Sequence, residues 1–126
     1  MRRLILPLLA ALLFAVPAFF GGANEASAHA FLARANPAVG STVRGSPSKL
    51  ELWYTEGVEL AFSKVTIKGN DGRPIAAGPL TADPNDKAHL EMDLPQLAPG
   101  TYSVSWQVVA VDTHRTTGTF KFTLAP

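Results

Sequence analysis

The stretch "VVAVDTHRTTGTFKF", residues 108–122, places Asp112 two positions before His114. In extended chain, residues two apart leave the backbone on the same side, so a carboxylate and an imidazole are presented together. Their even parity continues that of Trp106 and Val108, and strict alternation aims both groups at the apolar interior. Val109 and Val111 are apolar as well, so the parity can break at a bulge. Taken alone, the pair has two plain readings: a buried Asp–His hydrogen bond, or a solvated loop pair.

A third residue adds chemistry. In "NEASAHAFLA", residues 24–33, His29 follows a run of small residues. If His29 opens the mature chain, its α-amine and its Nδ1 can close a six-membered chelate ring on one metal ion. His114 then supplies a third nitrogen and Asp112 an oxygen. Three nitrogens and one oxygen in a tetragonal arrangement suit Cu(II), which heads the affinity series for such donors. Zn(II) could take the same ligands, but it prefers tetrahedral geometry and follows copper in affinity. A chelating terminus brings two donors for one ordering event, which lowers the entropic cost.

The free amine requires a cleavage, and the chain's start is built for one. Met1-Arg2-Arg3 precedes an apolar run from Leu4 to Phe20, broken by Pro7 and Pro17, and a small-residue tract follows. That order describes an export signal. The run is short and proline-broken for a spanning helix, which wants about 20 apolar residues. Cleavage after Ala26-Ser27-Ala28 frees His29, and cleavage after Ala28-His29-Ala30 frees Phe31. The chelate favours the first, giving residues 1–28 as signal and 29–126 as one exported domain.

Composition narrows the alternatives. Residues 29–126 carry nine basic and nine acidic side chains, so no positive excess exists to hold nucleic acid. The absence of cysteine removes disulfides, iron–sulfur clusters, zinc fingers and thiol nucleophiles. No Gly-x-Ser-x-Gly elbow and no phosphate-cradling glycine loop is present.

The elements that must position these groups read as strands. Ala88, Leu90, Met92 and Leu94 alternate with His89, Glu91 and Asp93, and Tyr102, Val104, Trp106 and Val108 alternate with polar partners. Leu50 with Leu52, Val65 with Ile67, and Phe120, Phe122 and Leu124 mark three more strands, and Phe31 to Ala35 a first. Turn signals separate them at Asn36-Pro37, Gly45-Ser46-Pro47, Asn70-Asp71-Gly72, Asp83-Pro84-Asn85 and Pro99-Gly100. About seven short strands predict an all-β, antiparallel two-sheet sandwich. Alternation puts Met92 and Trp106 in the core, one of Trp53 and Tyr54 inward, and His89 outward as a solvated residue. Glu56 closes the strand "LELWYTE".

These residues resemble the CopC family of periplasmic copper-binding proteins over nearly all of residues 29–126. The likeness rests on "HAFLARANPAVGSTV" from His29, "KLELWYTEGV" from Lys49 and "PGTYSVSWQVVAVDTHRTTGTFKF" from Pro99, the last closed by Gly118 and Phe122. The resemblance implies a Greek-key sandwich or barrel, cupredoxin-like or immunoglobulin-like. It implies Cu(II) ligands at His29 (amine and ring), Asp112 and His114, with Glu56 near the copper, bonding the amine or approaching axially. Some members add a methionine-rich loop for Cu(I). The matching stretch here, "GNDGRPIAAGPLTADPND" from Gly69 to Asp86, has neither Met nor His. The expectation is therefore a monomer holding one Cu(II) ion. It would be periplasmic or otherwise exported, and would act in copper sequestration, resistance or delivery to a membrane importer or another carrier. Two rivals stay open: a small copper oxidase using a histidine brace, and a sandwich interaction module that binds no metal.

Overall fold

Alternation along the chain turns one face of each strand toward a shared interior, and two such faces close on each other. The computed structural model describes residues 29–126; the expected signal and its cleavage position lie outside the described residues. Among the described residues eight strands form, in chain order β1 (Leu32–Asn36), β2 (Thr42–Arg44), β3 (Lys49–Tyr54), β4 (Lys64–Lys68), β5 (Thr81–Asp83), β6 (Asp86–Asp93), β7 (Gly100–Val109) and β8 (Arg115–Ala125). A 3₁₀ turn, Leu60–Phe62, precedes β4. The strands make two four-stranded sheets, ordered β1-β3-β6-β5 and β2-β8-β7-β4.

Two details depart from the sequence reading. The strands number eight rather than about seven, because β2 and β5 span three residues each, too few to show alternation. One pairing is parallel rather than antiparallel: β2 lies alongside β8, Val43 facing Leu124. Every other pairing is antiparallel. The hairpins β5–β6 and β7–β8 stay within a sheet, while the other connections pass between sheets.

The core is the expected one. Leu50, Leu52, Leu90 and Met92 from one sheet meet Val65, Ile67, Val104, Trp106, Phe120 and Phe122 from the other. Tyr54 faces inward and packs edge-to-face on Trp106 at 5.3 Å, while Trp53 faces outward. The Tyr102 hydroxyl donates to the carbonyl of Ala98 at 2.5 Å, fixing the entry to β7 and stacking its ring on Phe122. Gly118 lies opposite Trp106 in the β7–β8 register, and a Cβ there would stand 2.3 Å from Cζ2 of the indole. Glycine at this position makes room for the tryptophan.

Candidate metal centre

The longest hairpin, β7–β8, carries Asp112 and His114 at its tip. The last strand pair is Val109 with Arg115, and Ala110 N–H then donates to His114 C=O at 2.9 Å. Thr113 N–H donates to Ala110 C=O at 2.8 Å, so Val111, Asp112 and Thr113 form a three-residue loop. Such a loop places its third residue in the left-handed region, here Thr113 at φ 78°. A β-branched residue rarely tolerates that conformation.

The Asp112 carboxylate holds this loop in shape. Oδ1 accepts from the His114 backbone N–H at 3.1 Å, and Oδ2 lies 3.1 Å from His114 Nδ1. The backbone N–H of His114 is the main influence holding the Asp112 carboxyl below its ordinary range. Desolvation opposes it, and the His114 ring and the charges of His114 and His29 add to it. Asp112 is therefore an ionised carboxylate that also sets the orientation of the His114 ring.

The inward aim that strict alternation predicted does not occur. The strand ends at Val109, and the loop carries both side chains to the rim of the sandwich, with the His114 side chain 60% exposed. The register breaks because the turn, not a bulge within the strand, consumes the odd residue.

His29 arrives at the same rim from the other end of the chain. Ala30 is fully buried, and its C=O accepts from the Thr116 hydroxyl at 2.6 Å. Thr55 fastens the flanking residues: its N–H donates to Phe31 C=O at 2.8 Å, and its Oγ1 accepts from Phe31 N–H at 2.9 Å. The same hydroxyl donates to His29 C=O at 3.3 Å. Held in this way, the His29 ring stands edge-to-face on His114, with centroids 4.6 Å apart and planes at 89°. Its Nδ1 is buried and has no hydrogen-bond partner. A buried polar nitrogen without a partner is costly in a folded protein, and a neutral imidazole nitrogen is a common metal ligand.

Glu56 sits between two anchored neighbours. Thr55 binds the His29–Phe31 segment, and Gly57 C=O accepts from Val111 N–H at 3.0 Å. The acid thus lies on chain that joins the two halves of the site. Among the described residues, no hydrogen bond or ion pair links it to His29, Asp112 or His114. The structure accordingly gathers His29, Asp112 and His114 in one place and puts Glu56 on the segment between them. Two imidazoles, one with an unpartnered buried nitrogen, and an ionised carboxylate are donor types that a divalent transition ion accepts.

One residue departs from its sequence reading. His89, expected to be solvated, is only 13% exposed in its side chain and stacks on Trp53 with centroids 4.4 Å apart. Burial on this outward face comes from cross-strand neighbours, which a single strand's alternation does not reveal. Pairing "LELWY" against "AHLEM" in register would have set Glu51 opposite Glu91 and Trp53 opposite His89.

The chain has relatives among known proteins. A CopC domain is matched across residues 32–125. The chain is 38% identical over 98 residues to Protein YobA of Escherichia coli K12, covering 77% of this chain and 79% of that one. It is 35% identical over 113 residues to Copper resistance protein C of Escherichia coli, covering 82% and 87%. Among solved structures, CopC from Methylosinus trichosporium OB3b superposes with a TM-score of 0.74 at 32% identity, covering 78% of this chain and 95% of that one.

Proposed function

The chain belongs to the CopC family, and on that premise we propose that it is an exported Cu(II)-binding protein whose mature N-terminus is His29. Cleavage after Ala28 would turn the His29 backbone nitrogen into a primary amine. That amine and the His29 Nδ1 would form the chelate, with His114 as the third nitrogen and Asp112 as the oxygen donor. Glu56 would bond the amine or approach axially. One observation carries the reading: His29 Nδ1 is buried without a partner beside a second imidazole and an ionised carboxylate.

The role we assign is that of a carrier, sequestering copper or passing it to a membrane importer, rather than that of an oxidase. A relative is named for copper resistance, and a protein named for copper transport, CutJ of Bacillus subtilis, matches this chain at 24% identity over 18% of its own length. An anionic oxygen donor among the ligands favours Cu(II) over Cu(I), which prefers soft sulfur. That preference suits storage better than redox turnover.

Copper titration of the chain beginning at His29, against the same chain with one residue added before it, tests the proposal. We expect tight one-to-one Cu(II) binding in the first and a loss of at least about a hundredfold in the second, about 2.7 kcal/mol. Equal affinities would remove the chelating terminus from the mechanism. Affinity should fall with pH as the amine and imidazoles protonate, since each must be neutral to bind the ion.

A further inference from the structure

A second histidine-centred cluster lies away from the sandwich rim, on the outer face of the β1-β3-β6-β5 sheet. Register pairs Trp53 with His89 and Glu51 with Glu91 across β3 and β6. All four side chains leave on the face opposite Leu50, Leu52, Leu90 and Met92. The His89 ring lies nearly parallel to the Trp53 indole, at 15°, and the Arg34 guanidinium sits 3.9 Å from the centroid of that indole. The imidazole plane is therefore fixed.

The edge of that ring meets carboxylates. Nε2 of His89 is buried and has no hydrogen-bond partner, yet Glu51 Oε1 lies 3.4 Å from it and Glu91 Oε1 3.6 Å. Neither of these distances comes with hydrogen-bond geometry at Nε2. They match something else. A tetrahedral ion with bonds of about 2.0–2.2 Å to nitrogen and oxygen holds its ligand atoms about 3.3–3.6 Å apart, whereas adjacent square-planar ligands stand about 2.8–3.1 Å apart. One ligand atom from each of Glu51, His89 and Glu91 lies within 4.8 Å of the other two.

The remaining atoms are already engaged. Asn36 Nδ2 donates to Glu51 Oε2 at 3.4 Å, and Lys49 Nζ donates to Glu91 Oε2 at 3.4 Å, which leaves both Oε1 atoms toward Nε2. Asp83 Oδ2 lies 3.5 Å from His89 Nδ1. A carboxylate beside the outer ring nitrogen is the usual support for a metal-bound histidine, and Asp83 stands in that place.

We propose that Glu51, His89 and Glu91 form a second divalent-cation site, tetrahedral and of the zinc class, with water as its fourth ligand. Asp83 is its positioning residue. The site is independent of the one built on His29, shares no ligand with it, and stands or falls whether or not copper binds there.

Zn(II) titration by calorimetry, in a His114→Ala background that disables the rim site, tests this. We expect one Zn(II) equivalent to remain. Adding His89→Gln should weaken it at least about a hundredfold, and adding Asp83→Asn about 10–100-fold. Co(II) in the same protein should give the intense visible bands of tetrahedral coordination, lost with His89→Gln. Melting curves of the metal-free variants check folding, and if His89→Gln does not fold, Glu91→Gln decides by the same criterion. No Zn(II) binding in the His114→Ala protein, binding indifferent to these substitutions, or weak octahedral Co(II) bands would overturn the site.

Discussion

The Thr116 hydroxyl donates to the Ala30 carbonyl at 2.6 Å, joining positions 86 residues apart. This bond pins the start of the described chain to the hairpin that carries His114. Thr116→Val keeps the shape and removes the donor, leaving a buried carbonyl unpaired. We expect a loss of about 1–2 kcal/mol, seen as a fall of roughly 5–10 °C in melting temperature. Cu(II) affinity should fall about tenfold as His29 loses its anchor. Unchanged affinity in a destabilised variant would show that the terminus is positioned by Thr55 instead.

Asp112 should govern acid stability locally. Its carboxyl titrates below its ordinary value of 3.8, chiefly because the His114 backbone N–H binds the ionised form. A depressed folded-state pKa contributes stability that is present above the unfolded value and lost as pH falls through the folded one. Asp112→Asn keeps a backbone acceptor but no charge. The melting temperature of the native chain should exceed that of the variant at neutral pH, and the gap should close below about pH 4. A gap that persists at the lowest pH would assign the effect to shape rather than charge.

Thr113 occupies a left-handed conformation, at φ 78°, that costs a β-branched residue roughly 1–2 kcal/mol. Asparagine tolerates it better, so Thr113→Asn should raise the melting temperature of the apo protein by a few degrees. Differential scanning calorimetry reads this directly. Destabilisation would mean that the threonine makes a compensating contact worth more than the strain.

Gly118 is the clearance for Trp106. Gly118→Ala would place a methyl 2.3 Å from the indole Cζ2, so the ring must move. A cost of about 1–3 kcal/mol and a red-shifted tryptophan emission are expected. Stability equal to the native chain would indicate that the strands part without loss.

The strands of five residues or longer were legible, as at Lys49–Tyr54, Ala88–Leu94 and Tyr102–Val108. β2 and β5 were not, because three residues carry no period. Asp112 and His114 could be seen as a pair from spacing, but their direction could not. That depended on a three-residue loop whose third member, Thr113, is not the glycine or asparagine that advertises such a turn. His29 entered through a cleavage pattern, and its neighbour His114 lies at the far end of the chain, linked to it only by the closed fold. His89 was misread because its burial comes from Trp53, Glu51 and Asp83 on neighbouring strands, with Glu91 beside it on its own.

The four outermost strands share a habit with a wider consequence. β2 and β5 offer three residues each, β4 exposes Lys64 and Lys68 at its ends, and the β1 register shifts between Leu32 and Arg34. Each device denies a neighbouring molecule a long, flat row of backbone donors and acceptors. A chain with no covalent staple must open now and then, and these blunted borders let it reclose alone instead of seeding a fibril.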